Sequence, residues 1–339
     1  MLSEPIIDRI LAHLPRLRMG ILGDLFLDRY LDIDADLTEP SIETGLDAYQ
    51  VVRVRSYPGA AGTVINNLVA LGVSTVYPIA VIGDDGEGFE LGQALARLQG
   101  VDSRSVYADP GWRTPTYTKP MLCEKNQQPR ELNRLDIKNR SPLATSQETR
   151  VLEALTDLWP ELDALLVLDQ VSEANCGVVT DRVRGRLQEL GETAPDKLIL
   201  ADSRERVGLF RGAWLKPNQT ECTRAVGGSS VAAAALALAQ QGGRPVFCTQ
   251  GDKGILLADP SLGSVRQVAG FKVTGPIDPV GAGDSTSAGI AVALACGESL
   301  EVAAAFGNLV ASITIQQLAT TGTASPQQVR SRWREVSLP

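Results

Sequence analysis

The spacing of apolar positions changes along the chain, and each change marks an element. Ile6, Ile7, Ile10, Leu11 and Leu14 recur at helical intervals, which predicts an amphipathic helix over residues 5–14 that ends at Pro15. The run MGILGD that follows reads as a short buried strand. In RYLDIDADL and DAYQVVRVRSY, apolar and polar residues alternate as they do in strands with one face in solvent. After the turn PGAAG come a helix over 63–71, an apolar strand over 76–82 and a helix over 89–98 that stops before Gly100. Residues 113–137 return to exposed strands joined by a polar turn. From residue 148 the order is regular: a helix to 159, the strand ALLVLD, a helix through 186, the strand KLILAD, then AWLKPN. An alanine-rich helix over 231–240, the strand PVFCT, a hairpin in GILLADPSLGSVRQVAG, the turn DPVGAGDS and two closing helices complete it. Such repetition implies an α/β fold in three layers, a mainly parallel sheet covered by helices on both faces, with ligand sites beyond the carboxyl ends of its strands. The two strand-rich insertions, about 25–57 and 107–137, are expected to meet as a small β-sheet lid on a single domain spanning 1–339.

Composition narrows the chemistry. With 339 residues, 44% hydrophobic and 21% charged, the chain is ordinary globular protein. A net charge of -8 and a pI of about 4.9 oppose nucleic acid or an anionic membrane as partner. Cys123, Cys176, Cys222, Cys248 and Cys296 stand singly, which argues against a disulfide framework and for a reducing compartment. No stretch has the layout of a secretory signal or the length of a membrane span, so a cytoplasmic protein is expected. His13 is the one histidine, which disfavours Ser-His-Asp catalysis and histidine-held metals. A P-loop is excluded because no Gly-Lys pair occurs, and Gly281 and Gly283 lack the third glycine of a dinucleotide fingerprint.

The strongest chemical signal is DPVGAGDSTS, ahead of the apolar run AGIAVALAC. Gly281 and Gly283 let the backbone turn sharply and approach a ligand, and the helix that follows offers unpaired N–H groups to an anion. A migrating phosphoryl group is such an anion, and Asp284 is placed to take the proton of a hydroxyl beside it. The helix dipole is expected to hold its pKa down. The same residues also suit a plain helix cap and turn.

DPVGAGDSTSAGI resembles the C-terminal signature of the ribokinase-like, or PfkB-type, carbohydrate kinases. GDLFLDRY, PGAAGTVINNLVALG, NQQPRELNRLD, LKPNQTE and CTQGDKG resemble further blocks of that family in the same order, and the first and third are most similar to its bacterial heptose-phosphate kinase branch. The resemblance implies ATP and Mg2+, a sugar or sugar-phosphate acceptor, and a homodimer formed through the lid. It gives Gly281, Ala282 and Gly283 to an anion hole and Asp284 to the base. Asp24, Asp28, Gly59 and Asn67 fall to the sugar side, and Asn218 and Glu221 to the magnesium and phosphate network. Thr249 and Gly251 fall beside the nucleotide, and Asn308 to the adenine site. Read without the family, Asn218-x-x-Glu221 is a helix start ahead of a metal site. Thr63 stands where the branch has asparagine, and Ser203-Arg204 where it has proline and lysine. Arg130, Arg134, Arg204 and Arg206 are candidates to clamp a second phosphate, or are solvated surface charges. A catalytically silent sensor of sugar or nucleotide on the same fold is the alternative to an active kinase.

Overall fold

The computed structural model describes residues 2–228, 230–318 and 320–337. The chain opens with α1 (Glu4–His13) and β1 (Arg18–Gly23), then the long strands β2 (Leu25–Pro40) and β3 (Asp47–Ala60). Next come α2 (Ala61–Leu71), β4 (Thr75–Gly83), α3 (Gly86–Ala96) and β5 (Val106–Asp109). β6 (Thr116–Cys123), β7 (Arg130–Glu131) and β8 (Leu135–Ile137) follow. Strands β9 (Ala164–Asp169), β10 (Leu198–Ser203), β11 (Trp214–Leu215) and β12 (Val246–Thr249) alternate with α4 (Thr145–Leu158), α5 (Asp181–Thr193), α6 (Gln219–Val226) and α7 (Val231–Gly242). The hairpin of β13 (Ile255–Asp259) and β14 (Ser264–Val268) precedes α8 (Ala282–Ala295), α9 (Leu300–Thr314) and α10 (Pro326–Ser337). Three helices close the chain rather than two, because α10 follows α9 after a short loop.

Nine strands form one sheet in the order β14-β13-β12-β11-β10-β9-β1-β4-β5, parallel from β12 to β5, with β13 and β14 antiparallel at one edge. The central strands are apolar because both faces are covered. In β9, Leu166 and Leu168 pack toward α2, α8 and α9, whereas Leu165 and Val167 pack toward α4, α5 and α7, as the two-residue period of a strand requires. A second sheet, β3-β2-β6-β7 with β8 also on β6, stands at the carboxyl ends of the parallel strands and is fed by residues 25–60 and 116–137. β5 lies within the stretch assigned to the lid by its sequence but pairs in parallel with β4 at the edge of the large sheet.

Three parallel strands end on aspartate at this same face: β1 leads into Asp24, β9 ends at Asp169, and β10 carries Asp202 one residue from its end. α8 and α9 pack closely because a Cβ on Gly289 would lie 2.8 Å from the Cα of Gly307. That contact holds the middle of α8 on α9, and Ser285 Oγ, 2.9 Å from Thr314 Oγ1, ties its first turn there.

Candidate active site

The N-terminus of α8 is built by Gly281, whose φ of 77° is a left-handed conformation that glycine adopts without strain. Gly281, not Asp284, occupies the cap position, and Asp284 sits in the first turn with no hydrogen-bond partner among the described residues. The Ala282 N–H donates to the Pro279 carbonyl at 3.1 Å and is therefore committed to the turn. The N–H groups of Gly281, Gly283 and Asp284 have no acceptor among the described residues. The open cradle is thus these three amides, and Ala282 shapes it without donating to it.

Two cavities meet at this helix end. A small one of about 270 Å³ is lined by Asp284, Gly283, Asp202, Arg204, Lys216, Asn218, Glu221 and Thr249. A cleft of about 600 Å³ runs from Thr249, Gly251 and Gly283 between the loop after β14 and the face of α9 that carries Asn308. Gly283 and Thr249 belong to both walls. On the other side, Arg204 and Gln170 also line a narrow pocket with Asp24, Phe26, Trp112, Tyr117 and Lys138. Asp284 therefore stands between a long cleft and a polar-aromatic pocket.

Its carboxyl is pushed up to about 7, first by burial in the cavity and then by the charge of Asp202, with Lys216 and Arg204 opposing and Asp28 adding to the rise. The sequence led to the opposite expectation, a pKa lowered by the helix dipole. Desolvation and the nearby carboxylate outweigh the dipole here.

Lys216 and Asp202 were not singled out from the sequence. Lys216 is buried, its Nζ 2.9 Å from Asp202 Oδ2, and it lies 3.6 Å from where a Cβ of Gly283 would be. Asp202 also accepts from Ser287 Oγ of α8 at 3.3 Å. Breaking a buried pair of this kind leaves one charge uncompensated, at a cost of about 3–5 kcal/mol. The recurrent strand-then-Asp pattern of MGILGD, ALLVLD and LILAD is the signal that points to Asp202.

Asn218 and Glu221 cap α6 reciprocally, each side chain accepting the other's backbone N–H at 2.9 and 2.8 Å. The helix-start role of this pair is real, and both residues line the small cavity as well. Burial raises the Glu221 pKa, with the Asn218 N–H opposing. Among the described residues no three carboxylate, histidine or cysteine side chains gather as a metal cage. Glu221, which shares this cavity with Asp202 and Asp284, fits a hydrated Mg2+ that arrives on a polyphosphate, because that ion keeps most of its waters.

Asp24 is buried and accepts backbone N–H groups of Gln170, Val171 and Val178 at 3.1, 3.2 and 2.7 Å, so it anchors the loop after β9. Burial pushes its carboxyl up to about 6 against those bonds. Asp28, on β2, lies 3.5 Å from Lys119 Nζ, which is also 3.0 Å from Tyr30 Oη; a Cβ on Gly59 would fall 2.8 Å from the Asp28 carboxyl carbon. Arg134 is paired with Asp136 at 2.6 Å and stacked 3.9 Å over Tyr117. Arg206 forks onto Asp169, Nη2 to Oδ1 at 2.6 Å. Of the four arginines, Arg204 is the one whose position joins the two inner pockets. Asn67 lines neither pocket: it is fully buried, its Nδ2 donates to the Thr63 carbonyl at 2.9 Å, and its Oδ1 lacks a partner among the described residues. Asn308 lines the long cleft and donates to the carbonyls of Val268 and Ala269 at 3.1 Å each.

With this geometry in view, comparison with known proteins fixes the family. The model of the pfkB family carbohydrate kinases matches residues 26–328, and the chain belongs to that family of sugar phosphotransferases. The bifunctional protein HldE of Trichlorobacter lovleyi is 30% identical over 97% of this chain and 65% of its own length. The protein of the same name from Rhodospirillum rubrum is 31% identical over 93% and 62%. The chain therefore spans just under two thirds of these relatives. Among solved structures, Arabidopsis thaliana ribokinase complexed with ribose and ATP has a TM-score of 0.66 at 16% identity, covering 95% of this chain and 99% of that one. Escherichia coli phosphofructokinase-2 in complex with fructose-6-phosphate gives 0.68 at 19%, covering 95% and 100%. These likenesses establish the ribokinase-like fold.

Proposed function

We propose that the protein transfers the γ-phosphate of ATP to a hydroxyl of a sugar phosphate, with a heptose phosphate as the leading acceptor. The observation that carries this reading is the Asp284 carboxylate at the junction of two cavities, beside three main-chain N–H groups, with neither hydrogen-bonded among the described residues. ATP lies along the long cleft, its base between the loop after β14 and Asn308, with Thr249 and Gly251 beside its phosphates. The γ-phosphate then meets the amides of Gly281, Gly283 and Asp284, and Lys216 adds a buried positive charge next to Gly283. Glu221 would hold, through water, the Mg2+ that accompanies the nucleotide.

The acceptor sits toward Asp28, Gly59 and the Asp24 pocket, and Arg204 between the inner cavities faces its phosphate. Asp284 takes the hydroxyl proton as the bond to phosphorus forms and the β–γ bridge breaks, with ADP leaving. The small sheet acts as a lid that excludes water and as the surface of a homodimer. The likeness of GDLFLDRY and NQQPRELNRLD to the heptose-phosphate branch, together with the bifunctional relatives, supports the choice of sugar. The test is ADP release with heptose 7-phosphate, fructose, fructose phosphates, ribose and nucleosides as acceptors. Heptose 7-phosphate is expected to give the highest kcat/KM. Release that no acceptor stimulates above ATP hydrolysis would defeat the reading.

A further inference from the structure

The loop that forms one wall of the long cleft, residues 269–277, belongs to no helix or strand, yet it must stand at a fixed distance from α9 if the cleft is to grip a flat base. Asn308 ties its start to α9 from the cleft side. A second tie comes from behind, out of α10. Arg332 is a charged residue only 6% exposed. Its Nε donates to Ser312 Oγ of α9 at 3.2 Å and its Nη2 donates to the Lys272 carbonyl of the loop. Its Nη1 is balanced by Glu335 at 2.7 Å on the same helix. Next to it, the Trp333 ring meets the Phe271 ring edge-on, centroids 6.2 Å apart at 81°. Phe271, Lys272 and Ser312 all line the cleft. One rigid guanidinium thus bridges both walls of the same cavity, and its neighbour packs on the loop.

We propose that α10 is a working part of the nucleotide site, in which Arg332 and Trp333 set the gap between the 269–277 loop and α9 and thereby the affinity for the purine base. This rests on the reading that ATP occupies the long cleft. A guanidinium spans two separated acceptors because its donors sit on different nitrogens of one rigid plane, whereas an ammonium offers all its donors from a single atom. Loss of the bridge takes the Arg332 donor from the Lys272 carbonyl and frees the loop, while the Ser312 hydroxyl keeps its bond to the Leu309 carbonyl. Arg332 and Trp333 are positioning residues, since neither lines the cleft itself.

The experiment titrates folded Arg332→Met, Arg332→Lys, Trp333→Leu and Ala311→Trp proteins with a non-hydrolysable ATP analogue by calorimetry, beside KM for ATP and for the sugar. Arg332→Met should weaken the analogue about tenfold and Trp333→Leu about threefold, with Arg332→Lys in between, as expected for a charge-assisted tie lost or halved. The sugar KM should stay in place, a split that general loosening of the fold would not produce. Ala311→Trp plugs the cleft from α9 and should abolish analogue binding. If it binds like wild type, the nucleotide lies elsewhere and the proposal falls with that reading. If Ala311→Trp blocks binding while Arg332→Met and Trp333→Leu stay within about twofold of wild type, the brace alone is refuted. Should Arg332→Met not fold, Trp333→Leu decides: unchanged analogue affinity overturns the proposal.

Discussion

In the proposed reaction Asp284 is the base, a role that suits a carboxyl raised to about 7 with no hydrogen-bond partner among the described residues. Asp284→Asn is expected to fold, bind ATP and lose about 100-fold or more in kcat, the scale of a missing general base. A kcat near wild type would reject the assignment. The base must be ionised to act, so kcat/KM should fall as pH drops below about 7 and level off above it, the value to which burial and Asp202 push the carboxyl. Stability runs the other way. A carboxyl whose folded pKa is raised binds a proton more readily folded than unfolded, so its contribution is intact at pH values below its ordinary range and is lost as pH rises toward 7. Asp284→Asn should therefore raise the melting temperature, by more at pH 8 than at pH 5; a gain that does not grow with pH would contradict the raised pKa. The place of Asp284 in the first turn of a helix was legible in the sequence because a short glycine turn and its helix carry that signal. The pairing of Lys216 with Asp202 was not, since it depends on β10 and β11 lying side by side, which no local pattern encodes.

At the scale of elements, the site is a set of helix and strand ends brought to one face of a sheet. β/α alternation, read from apolar runs of ALLVLD type, was enough to place those ends, with Asp24 just past β1 and Asp169 and Asp202 in the closing residues of β9 and β10. What the pattern left open was the business of each end. Asn218-x-x-Glu221 proved to be a capping box and a cavity wall together, because the geometry that caps α6 also turns Glu221 toward the cavity. Asn67 read as a sugar-side residue, but on α2 it faces inward and spends its amide on the preceding turn. The start of α8 lends itself to a direct test. A Cβ on Gly283 would meet nothing nearer than Lys216 Nζ at 3.6 Å, so Gly283→Val should fold normally. Its branched side chain would nevertheless fill the space above the free amides. Turnover is expected to fall by at least about 100-fold, as when an oxyanion-type donor set is lost, with little change in melting temperature. Full activity in this variant would remove the amide cradle from the mechanism.

At the scale of the molecule, the small sheet leaves apolar surface that the protomer does not cover. Along β3, Tyr49, Val51, Val52 and Val54 are 47%, 44%, 58% and 55% exposed. Among the described residues β3 is an edge strand bonded to β2 alone, and the register slips between Asp32 and Ile33 so that Val52 bulges with no residue opposite. The bulge twists the strand and interrupts its free hydrogen-bonding edge, which disfavours simple strand addition and leaves the valine-bearing face for a partner. A row of exposed valines and a tyrosine on one strand is more than isolated surface residues require. The same sheet carries Asp28 and Gly59, so a second copy packed on it would also stiffen the roof of the acceptor pocket. Val52→Glu with Val54→Glu would place two charges in that face. Sedimentation velocity should show wild type as a dimer and the double variant as a monomer, and the sugar KM of the variant should rise while its ATP affinity holds, because the long cleft lies on the large sheet's side. A wild-type protein that sediments as a monomer at tens of micromolar, a range where standard dimer interfaces are filled, would show that this face serves something other than self-association.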